Sequence, residues 1–224
     1  FIMCTVNGRI KRVALSEFES VRPSGLIAIS LDDNDYLGWV RHTTGEDDII
    51  IVTHNGQAIR FDENDVRVMG RTAAGVNAMR LANDDVIASM DVIDAISVEA
   101  DLLIVTEHGY GKRTNVSEFR QQGRYGQGVR AIASDLSKTG QIVAARILLS
   151  DEETDLTVIT RNGITLRTPA DKISTYGRTA QGVRIINIDP DDSVVSIALV
   201  LGETATSAQN ENGYNTPDNG VEDA

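Results

Sequence analysis

Four times along the chain an apolar run gives way to a short polar turn that closes on glycine, and a run of alternating polar and apolar residues follows. The first copy is residues 1–6, the turn Asn7-Gly8, and residues 9–13. It recurs as 49–53, His54-Asn55-Gly56 and 57–61, and again as 102–106, Glu107-His108-Gly109 and 110–116. The last copy is 156–160, Arg161-Asn162-Gly163 and 164–168. Gly adopts positive φ freely and Asn tolerates it, so two strand-like runs around such a turn predict a β-hairpin. Four hairpins are expected, each reversing in about two residues.

The stretch after each hairpin also repeats. The polar segments Ser16-Glu17-Phe18, Asn64-Asp65-Val66, Ser117-Glu118-Phe119 and Asp171-Lys172-Ile173 are too short for a stable helix and predict one helical turn each. A glycine-bounded loop comes next. It reads Gly70-Arg71-Thr72-Ala73-Ala74-Gly75-Val76, then Gly123-Arg124-Tyr125-Gly126-Gln127-Gly128-Val129, then Gly177-Arg178-Thr179-Ala180-Gln181-Gly182-Val183. A degenerate first copy has Val21-Arg22-Pro23-Ser24-Gly25. A third strand is predicted over 26–31, 76–81, 129–133 and 183–188, and a fourth over 36–41, 86–92, 141–149 and 193–200. The turn glycines lie 48, 53 and 54 residues apart. Four short strands at a period near 50 predict an all-β, propeller-like fold with repeats at about 1–41, 49–92, 102–149 and 156–200 in one domain, 1–201. Residues 202–224 are polar, acidic and without periodicity, which predicts a disordered tail.

Charge complicates the choice of partner. The 224 residues carry a net charge of −12, and without the five acids of the tail the remainder holds 28 acidic against 21 basic residues. Bulk charge thus opposes a nucleic-acid partner unless the basic residues are segregated. They recur in a way that would segregate them. Arg12, Arg60, Arg113 and Arg167 each stand four positions past a turn glycine, with Lys11 and Lys112 immediately before two of them. A second series is Arg71, Arg124 and Arg178 in the glycine-bounded loop, with Arg130 and Arg184 two residues past its last glycine. Equivalent positions of stacked repeats fall on one line, so these eleven residues are expected to form a basic band on one rim and are the candidate contacts for a nucleic acid. The alternative reading is that each arginine braces its own blade through hydrogen bonds to carbonyls. The acids cluster elsewhere, at 32–35, 46–48, 84–85, 151–153 and 191–192, where strands and units join.

No catalytic or metal constellation is expected. His42, His54 and His108 do not recur in phase, and with Cys4 they give no metal-ligand spacing. Gly109-Tyr110-Gly111-Lys112-Arg113-Thr114 lacks the four-residue gap of a phosphate-binding loop, and Asp32 to Asp35 lacks the glycine and terminal glutamate of a helix-loop-helix calcium site. The single cysteine excludes an internal disulfide and suits a reducing compartment, and no apolar run approaches the roughly 18 residues of a membrane span. The chain opens on Phe1 in a strand-like run, so a piece of a longer protein is expected.

Taken together, Asn7-Gly8-Arg9-Ile10-Lys11-Arg12, Gly45-Glu46-Asp47-Asp48, Val66-Arg67-Val68-Met69-Gly70, Gly109 to Thr114 and Gly177 to Val183 resemble the C-terminal domain of the bacterial DNA gyrase A protein. The resemblance covers residues 1–201. It implies a six-bladed β-pinwheel, of which four blades, like the last four, are present. Its basic outer edge would wrap duplex DNA without sequence specificity and so support ATP-dependent negative supercoiling by the holoenzyme. Partners would be double-stranded DNA, the rest of the gyrase A protein and the gyrase B protein, in the bacterial cytoplasm, at the chromosome and not at a membrane. ATP and Mg would be used elsewhere in the holoenzyme, which leaves this part without a cofactor and without catalysis. The family's Gln-Arg-Arg-Gly-Gly-type heptapeptide, needed for wrapping and found in the first blade, has no full match here. Two other readings stay open: the equivalent domain of the topoisomerase IV A protein, and a propeller used as a protein-interaction scaffold.

Overall fold

A computed structural model describes residues 1–20, 23–95, 99–150 and 152–201. The acidic segment 202–224 and the Val21-Arg22 pair of the degenerate loop lie outside the described residues.

All four hairpins form, and they share one turn. The N–H groups of Gly8, Gly56, Gly109 and Gly163 donate to the carbonyls of Thr5, Thr53, Thr106 and Thr160 at 3.0–3.1 Å. The turns differ from the two-residue reversal expected. Among the turn residues only the glycines take positive φ, between 77° and 87°, so each loop has three residues and ends in a left-handed glycine. Threonine completes it: the Thr5, Thr53 and Thr160 hydroxyls accept the N–H groups of Arg9, Gln57 and Ile164 at 2.9–3.1 Å. The hairpins are β1 (Ile2–Thr5) with β2 (Arg9–Arg12), β4 (Asp48–Thr53) with β5 (Gln57–Asp62), β8 (Ala100–Thr106) with β9 (Tyr110–Asn115), and β12 (Thr154–Thr160) with β13 (Thr165–Pro169). Single 3-10 turns follow at Leu15–Phe18, Glu63–Asp65, Val116–Glu118 and Ala170–Lys172, as the short polar segments predict.

The blades are not contiguous in sequence. The remaining strands are β3 (Leu37–Arg41), β6 (Val76–Asn77), β7 (Ile87–Ile93), β10 (Val129–Arg130), β11 (Ile142–Leu149), β14 (Val183–Arg184) and β15 (Val194–Leu201). The sheets run β3-β1-β2-β6, β10-β5-β4-β7, β11-β8-β9-β14 and β13-β12-β15. β6 therefore completes the first repeat's sheet although it belongs to the second repeat, and β10 and β14 do the same one repeat later. The second, third and fourth repeats each hold four strands, as expected, but each of the first three blades borrows its outer strand from the next repeat instead of using its own. The borrowed strands are two residues long, shorter than predicted, and the predicted strand at 26–31 pairs with nothing among the described residues.

The core lies between blades. Ile49, Ile50, Ile51 and Val52 of β4 are all buried, because both faces of that sheet are covered. Ile49 and Ile51 pack with Ile2, Cys4 and Ile10 of the first blade, while Ile50 and Val52 pack with Leu102, Ile104 and Phe119 of the third repeat. Leu103 and Val105 then join Leu156 and Val158 of the fourth. β3, β7, β11 and β15 pack against one another in succession, which puts them on the inner side of the array and the borrowed strands on the outer rim. The Asp91 carboxylate ties three of the inner strands: it accepts from Arg41 Nε and Arg146 Nε at 2.8 Å and from the Ile147 N–H at 2.9 Å.

The glycine that ends each signature loop marks the crossing of one repeat over the backbone of the repeat before it. Gly75, Gly128 and Gly182 have φ of 92°, 76° and 87°, and a Cβ at each would lie 2.4–2.6 Å from the carbonyl oxygens of Ile10, Ala58 and Gly111. Gly128→Ala is expected to destabilise the fold by more than the ~1–2 kcal/mol of the left-handed φ alone, since the carbonyl is backbone and has little room to move. Urea denaturation measures this; an unchanged midpoint would refute the crossing as a packing constraint.

Candidate nucleic-acid interface

The eleven basic residues singled out by the repeat separate into groups with different fates. Lys11 and Lys112 are fully buried. Lys11 Nζ donates to the carbonyls of Gly70, Arg71 and Ala73 at 3.2, 2.5 and 3.0 Å, and Lys112 Nζ to those of Gly177 and Arg178 at 2.9 and 2.6 Å. Each ammonium fills the inside of the following repeat's Gly-Arg loop. Expected as phosphate contacts, both are instead structural, because their donors are spent on carbonyls away from solvent. Burial lowers the Lys11 pKa, with the Arg71 charge acting the same way. Burial brings Lys112 down to about 8, against the raising effect of Glu118 and together with the lowering effect of Arg178.

The hairpin arginines are staples between repeats. Arg12 donates to the Val66 carbonyl at 2.7 Å and pairs with Glu63 at 2.8 Å. Arg60 pairs with Asp48 at 2.7 Å and donates to the Val116 carbonyl at 3.2 Å. Arg113 donates to the Ile173 carbonyl at 2.7 Å and to the Asp171 carbonyl at 3.3 Å. Each of the three thus reaches the 3-10 turn of the next repeat or the residue that ends it, while Arg60 also pairs with Asp48 of its own hairpin. The outward face expected of an alternating strand is covered by that turn, and the side chains of these three are 14%, 23% and 24% exposed. Among the described residues, Arg167 in the last hairpin pairs with Asp155 alone, at 2.8 Å, and its side chain is 55% exposed.

The loop arginines lie at the rim and tie it together. Arg71, Arg124 and Arg178 donate to the carbonyls of Ile27, Asn77 and Arg130, each one repeat back. Arg130 Nη1 donates to the Asn55 carbonyl at 2.7 Å, and Arg184 lies 4.9 Å over the Tyr110 ring and donates to its hydroxyl at 2.9 Å. These five remain at the surface or half-buried.

Sequence reasoning missed three exposed cations close to the Gly-Arg loops. Arg67 and Arg120 stand three residues before Gly70 and Gly123, and both are exposed. The neighbouring Val68 and Gln121 bridge Arg12 and Arg60 in parallel, so this segment runs along the outer edge just before the loop. Arg80 is also exposed, 5.6 Å from the centre of the Tyr125 ring. The side chains of these three make no hydrogen bond or ion pair among the described residues. Arg67 and Arg120 recur in two repeats only, since Ser174 takes the place in the fourth, and Arg80 does not recur.

Most of the inner acids are accounted for. Asp35, Asp85 and Asp192 are buried and accept the hairpin-turn N–H groups of Asn7, Asn55 and Asn162 at 2.9, 3.1 and 3.0 Å. A cleft between the third and fourth blades sets Glu152, Glu153, Asp155 and Asp171 against Arg113, Arg167 and Lys172. Burial pushes the Cys4 thiol far up, away from a reactive thiolate. Among the described residues no three His, Cys, Asp or Glu side chains are grouped to hold a metal ion.

The Lys112 shift has a measurable consequence. Its folded pKa lies below the ordinary lysine value of about 10.4, so between about pH 8 and 10.4 the unfolded chain binds more protons and stability rises with pH. Below about pH 8 the cost of burying the charge is fully present. This portion of the rise is expected to disappear in Lys112→Met, followed as the denaturation midpoint from pH 7 to 10.5. An identical pH dependence in wild type and variant would refute the buried ammonium.

Known proteins share this geometry. The family described as the DNA gyrase C-terminal domain, a β-propeller, matches residues 1–40, 47–94, 100–148 and 154–200. The DNA gyrase A protein of Synechocystis sp. is 40% identical over 89% of the chain and 26% of its own length. Its Staphylococcus aureus counterpart is 39% identical over 96% of the chain and 24% of its length. The chain thus spans about a quarter of these relatives. Among solved structures, a DNA gyrase A C-terminal domain superimposes with a TM-score of 0.77 at 29% identity, covering 88% of the chain and 64% of that structure. The C-terminal domain of DNA topoisomerase IV gives 0.81 at 25%, covering 89% and 61%. Four matched segments, one for each repeat, establish that this chain belongs to the DNA gyrase C-terminal domain family of β-propellers.

Proposed function

We propose that the chain binds duplex DNA without sequence specificity along its outer rim and wraps it, serving negative supercoiling by a gyrase. The observation that carries this reading is the set of exposed arginines beside the Gly-Arg loops, Arg67, Arg80 and Arg120, whose side chains have no ion pair among the described residues, on an otherwise acidic protein. Arg124, Arg130 and Arg184 extend the same edge. Phosphate contacts from such residues position DNA but read no base edges. Bending a 20–30 base-pair site by 40–90° costs about 1–6 kcal/mol, which a handful of phosphate contacts can offset. ATP hydrolysis with Mg and DNA cleavage would belong to the rest of the gyrase A protein and to the gyrase B protein, in the bacterial cytoplasm. Gyrase A relatives near 40% identity and the gyrase family match support this reading.

Binding of unrelated duplexes is expected to weaken with salt at a slope of about 0.9 per neutralised phosphate. Arg67→Gln with Arg120→Gln should lower affinity for all sequences alike and reduce that slope by roughly 2. Fluorescence anisotropy across a salt series measures both. Salt-independent binding, or none, would overturn the DNA reading in favour of a protein scaffold.

A further inference from the structure

We propose that the joint between the second and third repeats carries an aromatic DNA anchor. The Tyr125 ring would pack on a deoxyribose in the minor groove, with Arg80 and Arg124 on the flanking phosphates. This rests on the DNA-binding reading above. The signature loop of the third repeat departs from the other two complete copies. Thr72 and Thr179 hold the equivalent position with ordinary φ, whereas Tyr125 sits at φ 67°, where bulky side chains are rare.

The support beneath the loop changes with it. In the other two loops a buried ammonium, Lys11 or Lys112, gathers the loop carbonyls. Here the corresponding residue is Ile59, an apolar side chain whose Cδ1 lies close under Gly126. Without a central cation, the loop is held from outside by the second repeat: the Tyr125 N–H donates to the Ala78 carbonyl at 2.8 Å and the Arg80 N–H to the Gly126 carbonyl at 2.9 Å. These two bonds fix Tyr125 and Arg80 side by side.

The result is a large aromatic side chain, 45% exposed, presented on the rim with a guanidinium against it. Arg124 commits Nε and Nη1 to the carbonyls of Asp65 and Asn77, which leaves Nη2 for a ligand. The nearby Asp65 carboxylate is taken by the Arg124 N–H at 3.1 Å. A backbone conformation unfavourable to tyrosine, retained at an exposed position, is the pattern of a functional contact. Duplex DNA passing along this edge offers a face for each group: sugar C–H for the ring and phosphate oxygens for the guanidinium groups.

Tyr125→Gly separates this role from folding, because glycine adopts the left-handed φ without strain. The thermal midpoint is expected to hold or rise while duplex affinity falls about tenfold, with the salt slope unchanged because no phosphate contact is lost. Tyr125→Phe should retain affinity, since sugar packing uses the ring. Arg80→Gln should instead reduce the salt slope by about 0.9. Tyr125→Asn, which also tolerates this φ, repeats the test should the glycine variant fold poorly. If wild type binds duplex in a salt-dependent manner and both Tyr125→Gly and Tyr125→Asn bind equally well, the anchor is refuted and the rim reading stands. If wild type binds no duplex, both fail.

Discussion

Each repeat is incomplete until the next one arrives, and most other features follow from that constraint. A lone two-stranded hairpin is marginal in water. Here three hairpins gain an outer strand from the following repeat, a Gly-Arg loop laid across their backbone, and an arginine staple into the following 3-10 turn. The crossing at Gly75, Gly128 and Gly182 leaves no room for a side chain, so a faithfully repeated residue marks a close approach between neighbours. Stability in such an array is carried by nearest-neighbour interfaces, consistent with hydrophobic clusters that each span two blades.

The same constraint sorts the charges. Within the array acids and bases are consumed together: Glu63 with Arg12, Asp48 with Arg60, Asp101 near Arg113, and Asp91 between Arg41 and Arg146. Three more carboxylates close hairpin turns. A net charge of −12 therefore says little about any one edge. At physiological ionic strength, fields between exposed charges fade over about 8 Å, so a phosphate at the rim responds chiefly to the nearest arginines.

Hairpins were legible in the sequence because their signal is local: an apolar run, a turn glycine, an alternating run. The blade was not, because its outer strand pairs with a hairpin strand of the preceding repeat and is only two residues long. Residues 26–31 carry the same pattern as the other third strands, yet they pair with no strand among the described residues. Lys11 and Lys112 misled for a related reason. Their positions are occupied by Ile59 and Leu166 in the other hairpins, and that apolar alternation was the visible sign of an inward face. The loop carbonyls that accept their ammonium groups lie in the following repeat, where hairpin periodicity carries no information. Arg67 and Arg120 escaped because recurrence in every repeat was the criterion, whereas a rim contact needs only to be exposed.

Borrowed strands also bear on how a polymer could follow this surface. Because each blade's outer edge comes from the next repeat, a rim patch draws on two repeats at once: Arg80 from the second sits against Tyr125 from the third, and Arg178 from the fourth reaches the Arg130 carbonyl of the third. The joints between blades are thus continuous at the surface. Their angles are set beneath it by Lys11, Lys112 and the staples, groups that a ligand on the rim does not touch. A rim whose curvature is held by buried contacts presents a fixed path. DNA following that path would bend to the protein, with the bending cost met by phosphate contacts spread over successive joints.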